Sequence, residues 1–264
     1  MRALVMLLAL AALEASGATR ILVTVVAERT GAPVTGLAPH DFEVLDDGRP
    51  RRVESVEPAP AALDVMLLLD TSLLGPVVQP LAEGLIGRLG PKDQMAVVAF
   101  HSAADLVQDF TSSQELLRRA VASVKFGNAP RVLDALYAAI NGGFSSAIYR
   151  RVIILLSAGV EGPSRMSERE VIQLARRNSV SIYPVFVLGS ERAMFRRLAQ
   201  QTGGAVVELR DRQRAQQDQT PEHIFEIIRS AYILSVEGNL ALGERLRIEI
   251  KRPERLLVSG LPLD

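Results

Sequence analysis

Residues 63–72 read LDVMLLLDTS, an apolar run that ends in one acidic and two hydroxyl side chains. The run is continuous rather than alternating, which is typical of a strand in a parallel sheet that is covered on both faces. Similar runs follow at 96–100, 152–156, 182–187 and 205–207. Amphipathic segments separate them, and a repeated order of strand then helix predicts an α/β fold.

The segments between these strands carry signals for helix starts. Ser112 with Glu115, and Ser167 with Glu170, have the spacing of a capping box, in which each side chain satisfies a backbone amide of the first turn. After the first pair, apolar residues recur at the helical period. We therefore predict a doubly wound, mostly parallel sheet with helices on both faces, a Rossmann-like architecture.

Shorter β-like runs flank this region on both sides. Residues 21–26 and 42–45 precede Asp46-Asp47-Gly48, a hairpin signal whose expected return strand is 53–56. The C-terminal part has three more runs, at 232–236, 246–250 and 256–259. Because neither group is large enough to bury a core alone, we expect the two to pair into one small β module beside the α/β domain.

Composition excludes several functional classes. The chain has 264 residues and 48% apolar content, enough for a substantial core. Thirty basic and thirty acidic residues cancel, so no charge footprint indicates nucleic acid as a partner. The absence of cysteine excludes thiol chemistry and cysteine-bound metals. Nucleophile elbows and phosphate-binding glycine loops are also missing, and we expect neither an enzyme nor a cofactor.

The first residues have the form of an export signal. Arg2 precedes an apolar run at 3–13, and small residues at 15–18 offer a cleavage site. A membrane anchor or a buried first strand is the alternative, but the run is too short to cross a bilayer as a helix. We expect an exported protein with no transmembrane segment in the mature chain. Its expected parts are a signal peptide (1–18), an N-terminal β segment and linker (19–60), the α/β domain (61–209) and a C-terminal loop, helix and strands (210–264).

Motifs along the α/β region carry a family resemblance. Asp70-Thr71-Ser72 after the first strand, 93–100 as the second strand, 133–137 as the central helix and 152–159 as the fourth strand resemble a von Willebrand factor type A domain. The flanks, with residues 31–37 and the Asp46-Asp47-Gly48 turn, are similar to a bacterial exported subfamily, the VWFA-related proteins described from Acidobacteria. The resemblance implies a function in protein interaction.

That family commonly carries a metal-ion-dependent adhesion site, written D-x-S-x-S, completed by a Thr and a second Asp from two later loops. Asp70 and Ser72 match its first two positions, whereas Leu74, Pro130 and Ala158 stand where the other ligands are expected. One carboxylate and one hydroxyl do not hold Mg²⁺, which releases its waters reluctantly. The resemblance therefore implies a degenerate site, and we expect no metal there.

Two alternatives remain for these residues. Thr71 or Ser157 could complete a residual weak Mg²⁺ site. Asp70 and Ser72 could instead cap the helix that begins near Pro76, because carboxylate and hydroxyl groups suit a helix N-terminus.

Ligands of open α/β sheets bind at the carboxyl ends of the strands, which we call the top face. The predicted binding residues on this face are Asp70, Thr71, Ser72, Leu73, Leu74 and Ser157. We predict a non-enzymatic, adhesion-like module that binds a protein partner without a metal bridge. The alternative is a structural scaffold whose β module or sheet edge makes the contact, by addition of a strand.

Overall fold

A computed structural model describes residues 18–72, 75–125, 127, 129–186, 189–209, 219–238 and 246–263, without the side chains of 75–77. The predicted signal peptide up to residue 17, and the predicted binding residues Leu73 and Leu74, lie outside the described residues.

Strands and helices of the described residues follow the alternation expected from the sequence with two exceptions: the strand Ala104–Thr111 was not predicted and directly follows another strand, and the helix Val132–Gly142 directly follows another helix. The strands are β1 (Ala18–Ala27), β2 (Phe42–Asp46), β3 (Arg49–Arg51), β4 (Val53–Pro58), β5 (Leu63–Asp70), β6 (Gln94–Phe100), β7 (Ala104–Thr111), β8 (Arg150–Ser157), β9 (Val180–Phe186), β10 (Val207–Glu208), β11 (Tyr232–Glu237), β12 (Leu246–Ile250) and β13 (Leu256–Leu263). The helices are α1 (Gly75–Ile86), α2 (Gln114–Ser123), α3 (Val132–Gly142), α4 (Glu168–Arg177), α5 (Arg192–Gln201) and α6 (Gln219–Arg229).

The central sheet has six strands in the order β10-β9-β8-β5-β6-β7. All neighbours are parallel except β6 and β7, which are antiparallel. Every residue of β5 is buried, and alternate residues enter opposite cores: Leu67 packs with α1, α2 and α6, whereas Leu68 packs with α3, α4 and α5. The predicted doubly wound sheet with helices on both faces is confirmed.

Of the two predicted capping boxes, the structure contains one and not the other. Ser167 and Glu170 form the predicted capping box at the start of α4. The predicted box at Ser112 is wrong, because the residue that caps α2 is Ser113, whose side chain accepts from Leu116 N. The Ser113 amide is itself held by Thr111 Oγ1 at 3.1 Å, and this delays the helix by one residue.

The flanking strands form two antiparallel sheets rather than one. Their orders are β13-β1-β11-β4 and β12-β2-β3, and the sheets share a core that includes Val23, Val44 and Leu234. The expected pairing of N- and C-terminal strands is confirmed, since β1 lies between β11 and β13 and β12 pairs with β2. Among the described residues no helix has the length and apolarity needed to cross a membrane.

The hairpin at Asp47-Gly48 returns earlier than predicted. Both turn residues have positive φ, 51° and 76°, which brings Arg49 directly opposite Asp46. The return strand is therefore β3, and the prediction of 53–56 for this role is wrong. Those residues belong to β4, which pairs with β11 in the other sheet.

Buried hydrogen bonds join the flanking sheets to the α/β domain. Thr24 Oγ1 on β1 donates to Gly203 O at 2.7 Å, and Ser259 Oγ on β13 donates to Gly204 O at 2.5 Å. A Cβ at Gly203, whose φ is +71°, would lie 2.7 Å from Leu261 Cβ on β13, so this close approach requires glycine. The top face lies at the other end of the central sheet, beyond the last residues of β5, β6 and β8.

Candidate functional site

Three parallel strands bring the predicted top-face residues together. Asp70 ends β5 and pairs with Phe100 at the end of β6, while Leu69 pairs with Leu156 on β8. Ser157, the last residue of β8, is therefore beside Asp70, as the common direction of the strands predicts.

Asp70 is fully buried, and protein donors surround its carboxylate. Oδ1 accepts from the amide and the hydroxyl of Ser72, at 3.0 and 2.6 Å. Oδ2 accepts from Ser157 Oγ at 3.1 Å and from Ala158 N at 3.2 Å. A carboxylate has about four acceptor positions, so these four donors fill its capacity. The negative charge is compensated by hydrogen bonds from the loops after β5 and β8.

Thr71 points away from this cluster. Its hydroxyl and its amide both donate to Phe100 O, at 3.0 and 2.9 Å, and the side chain is buried. Its carbonyl accepts from Gly127 N at 3.2 Å. Thr71 therefore fastens the first top-face loop to β6 and to the segment that precedes α3.

The segment before α3 is held between two strand ends. Arg131 N donates to His101 O at 3.0 Å, and Pro130 O accepts from Gly162 N at 2.7 Å. A Cβ at Gly127 would lie 2.3 Å from the His101 ring, so the segment passes close to the end of β6. At the expected ligand position, Pro130 contributes a backbone carbonyl that another loop already occupies.

Glu161 is a top-face residue that sequence reasoning missed. Its Oε2 accepts from Val132 N at 2.9 Å, at the first residue of α3, and burial raises the pKa of Glu161 above its usual range. Nearby, Asp134 Oδ1 accepts from the amides of Arg165 and Met166, at 2.8 and 2.9 Å. The two carboxylates tie the loop after β8 to α3. Contacts about 30 residues apart have no local sequence signal.

The described part of the top face consists of loops that hydrogen bonds join to one another. Within the described residues no group of three or more histidine, aspartate or glutamate side chains could hold a metal ion. Ser72 is half-buried, and its hydroxyl hydrogen is given to Asp70. Asp70 therefore joins the loops after β5 and β8 from inside the protein.

The chain matches the family model of the von Willebrand factor type A domain over residues 64–221, which is more than half of its length. A search of curated protein sequences finds no significant match.

Solved structures share the fold at low identity. An aerotolerance-related membrane protein from Bacteroides fragilis is 12% identical, with a TM-score of 0.51 over 62% of this chain and 98% of that one. BatB from Bacteroides thetaiotaomicron is 14% identical, with a TM-score of 0.51 over 63% and 98%. Proximal thread matrix protein 1 from the mussel byssus, solved with zinc in its metal-ion-dependent adhesion site (MIDAS) motif, is 18% identical. Its TM-score is 0.55, over 72% of this chain and 49% of that one.

Domains of this family generally mediate protein–protein interaction and are typically not enzymes. From the fold, the top-face arrangement and the match over residues 64–221, the chain belongs to the von Willebrand factor type A domain family.

Proposed function

We propose that this protein is an exported, non-enzymatic interaction module whose top face binds a protein partner without a metal bridge. The observation that carries the proposal is the saturation of Asp70. Its carboxylate accepts four hydrogen bonds from Ser72, Ser157 and Ala158, so protein donors compensate its buried charge in place of a cation.

The other ligand positions support the same proposal. Leu74, Pro130 and Ala158 have no side-chain oxygen, and Mg²⁺ needs about six hard oxygen ligands in octahedral geometry. Arg131 adds a cationic side chain next to Pro130. The adhesion site is therefore degenerate in this proposal, in contrast to the mussel protein, whose motif holds zinc.

The proposed contact surface consists of the top-face loops. Asp70 and Ser157 act as internal supports, because both are buried, and Thr71 holds the first loop against β6. Ser72 is the partly accessible member of the described residues, and Leu73 and Leu74 complete the proposed loop.

Export is supported by the leader-like residues 1–18 and by the resemblance of the flanks to the exported VWFA-related subfamily. β1 begins at Ala18, so removal of the leader near Thr19 leaves the described elements complete apart from one exposed residue. In this proposal residues 19–60 and 210–264 supply the segments that accompany the domain at 61–209. Secretion in a bacterial host and N-terminal sequencing test it: a chain that stays uncleaved in the cytoplasm contradicts export.

Thermal unfolding in EDTA and then in Mg²⁺, Mn²⁺ or Zn²⁺ tests the metal-free site. The sample is the expected mature chain, from Thr19 onward. A cation that binds only the folded state must raise the midpoint by a term that grows as RT ln(1 + [L]/Kd). We expect no shift. A matched variant with Leu74→Ser, Pro130→Thr and Ala158→Asp restores the missing oxygens and should gain a cation-dependent shift. A shift in the unmodified chain that Asp70→Asn removes would overturn the proposal.

The alternative function is a scaffold in which a sheet edge contacts the partner. One observation favours it: the three sheets have six outermost strands among the described residues, namely β3, β4, β7, β10, β12 and β13. Two sets of variants separate these functions in a partner-binding assay: alanine at Ser72, and substitutions on the outermost strands. Loss of binding in the Ser72 variant supports the top face, and loss of binding in the strand variants supports the scaffold.

A further inference from the structure

One outermost strand, β12, borders a cleft on the side away from β2. It is the last strand of the sheet β12-β2-β3, and all five of its residues line a cleft of about 560 Å³. The rest of the cleft wall is β13, with residues 256–258 and Gly260, and the C-terminal ends of α4 and α5, with Arg176 and Gln200. Within the described residues no strand pairs with this edge, and free edges are where additional strands bind.

The backbone groups of β12 alternate in direction. Lys251 N donates to Asp41 O at 2.8 Å, which marks that pair as a hydrogen-bonded one. In an antiparallel ladder the next such pairs are two residues apart, so Glu249 and Arg247 direct their backbone groups at β2. Leu246 and Ile248 therefore direct theirs outward, where a further strand can pair with them.

The sequence of β12, Leu-Arg-Ile-Glu-Ile, is complementary to itself in antiparallel order. With Ile248 opposite Ile248 of the partner subunit, Arg247 faces Glu249 of the partner subunit, and Leu246 faces Ile250 of the partner subunit. Arg247 and Glu249 are exposed, while the three apolar residues are half-buried on the other face. Opposite charges directly across an antiparallel pair stabilise it.

A negative charge on β2 adds a further reason for an arginine to pair beside Glu249. Glu249 lies opposite Glu43 on β2, so its existing neighbour carries the same charge. An arginine on the outer side would offset that repulsion. We infer that β12 pairs with β12 of a second copy of this chain, antiparallel about Ile248, to form one continuous sheet across a symmetric dimer.

Two other edges, β3 and β7, lack this property. β3, at the opposite end of the same sheet, reads Arg-Pro-Arg, which places like charges together and lacks one backbone donor. β7 exposes Asp105 and Asp109, and its pairing with β6 is irregular at two points. Acidic side chains and bulges are devices that keep an edge unpaired. The side chains of β12 therefore favour strand pairing more than those of β3 and β7 do.

Charge reversal tests the inference by sedimentation velocity of the chain from Thr19 onward. The pairing surface is short, so we expect a weak dimer that forms as concentration rises toward ~1 mM. Arg247→Glu or Glu249→Arg places like charges at both symmetric contacts and should weaken dimerisation by about tenfold or more. The double variant R247E/E249R should dimerise like the unmodified chain.

A mixture of the two single variants gives the sharpest outcome. The Arg247→Glu variant has two glutamates on β12, and the Glu249→Arg variant has two arginines. Opposite charges then meet at both contacts, so the mixture should form a heterodimer although each variant alone is monomeric. Glu254→Arg is the matched control, because Glu254 lines the same cleft outside the strand and its reversal should leave dimerisation unchanged. Equal unfolding midpoints exclude misfolding. A monomer at all concentrations, or single variants that dimerise as well as the unmodified chain, would overturn the inference. Top-face substitutions leave this result unchanged, so it is independent of the proposed function.

Discussion

Asp70 and Glu161 are both top-face carboxylates, but they differ in how many hydrogen bonds stabilise their negative charge. Asp70 is fully buried and has four protein donors. Glu161 accepts from Val132 N, yet its burial outweighs its hydrogen bonds and raises its pKa. Ionisation of Glu161 therefore opposes folding, since the folded protein holds the proton more tightly than the unfolded chain does.

A pH series of Glu161→Gln measures this difference at the residue scale. The carboxyl group contributes most to stability below its ordinary pKa of 4.5, and that contribution is lost as pH rises through the raised pKa of the folded state. The glutamine keeps an oxygen for Val132 N without the charge. We expect the midpoint of the variant, relative to the unmodified chain, to be higher at pH 7 than at pH 4.

Glu170→Gln is the matched control, with the opposite sign. Hydrogen bonds from Ser167 lower the pKa of Glu170, so its contribution is present above 4.5 and is lost as pH falls through the lowered pKa. Its relative midpoint should be lower at pH 7 than at acidic pH. The same pH trend in both variants would contradict the assignment for Glu161.

At the scale of elements, α2 shows that a spacing pattern fixes a helix start only to within a residue. Ser112 has an acidic residue three positions later, but Ser113 makes the cap because Thr111 holds its amide. We expect Ser113→Ala to destabilise the protein by about 1 kcal/mol and Ser112→Ala to have an effect near zero. Urea unfolding of the two variants measures the difference. An equal loss in both would mean that the cap does not contribute as the geometry indicates.

At the scale of the whole molecule, β1 joins the two ends of the chain. It pairs with β11 and β13, and its Val26 enters the core of the α/β domain. Thr24 connects the same strand to Gly203 and lies 3.3 Å from Tyr183 Oη. The flanking sheets and the domain should therefore unfold together.

Thr24→Val removes the buried hydroxyl with little change of shape. Gly203 O then loses its donor in a buried contact, and we expect a loss of about 1–3 kcal/mol in a single transition. Differential scanning calorimetry measures both the loss and the cooperativity. Thr24→Ser keeps the hydroxyl and should lose less. Two separate transitions would show that the sheets and the domain are independent units.

Local patterns predicted much of this fold. The continuous apolar strands, the Ser167 cap and the acidic residue at the end of β5 are each encoded in neighbouring residues, because periodicity and capping depend on spacings of two to four positions. The same patterns predicted that Asp70 and Ser157 meet, since parallel strands end at one edge.

Only the tertiary structure decided the rest. The direction of Thr71 toward Phe100, the contact of Glu161 with α3 and the division of the flanking strands into two sheets all depend on residues far apart in the chain. The position of β12 at the end of its sheet, among the described residues, is of the same kind. Its sequence is complementary to itself in isolation, but exposure depends on which strands the fold places beside it, and that is set by packing of the complete chain.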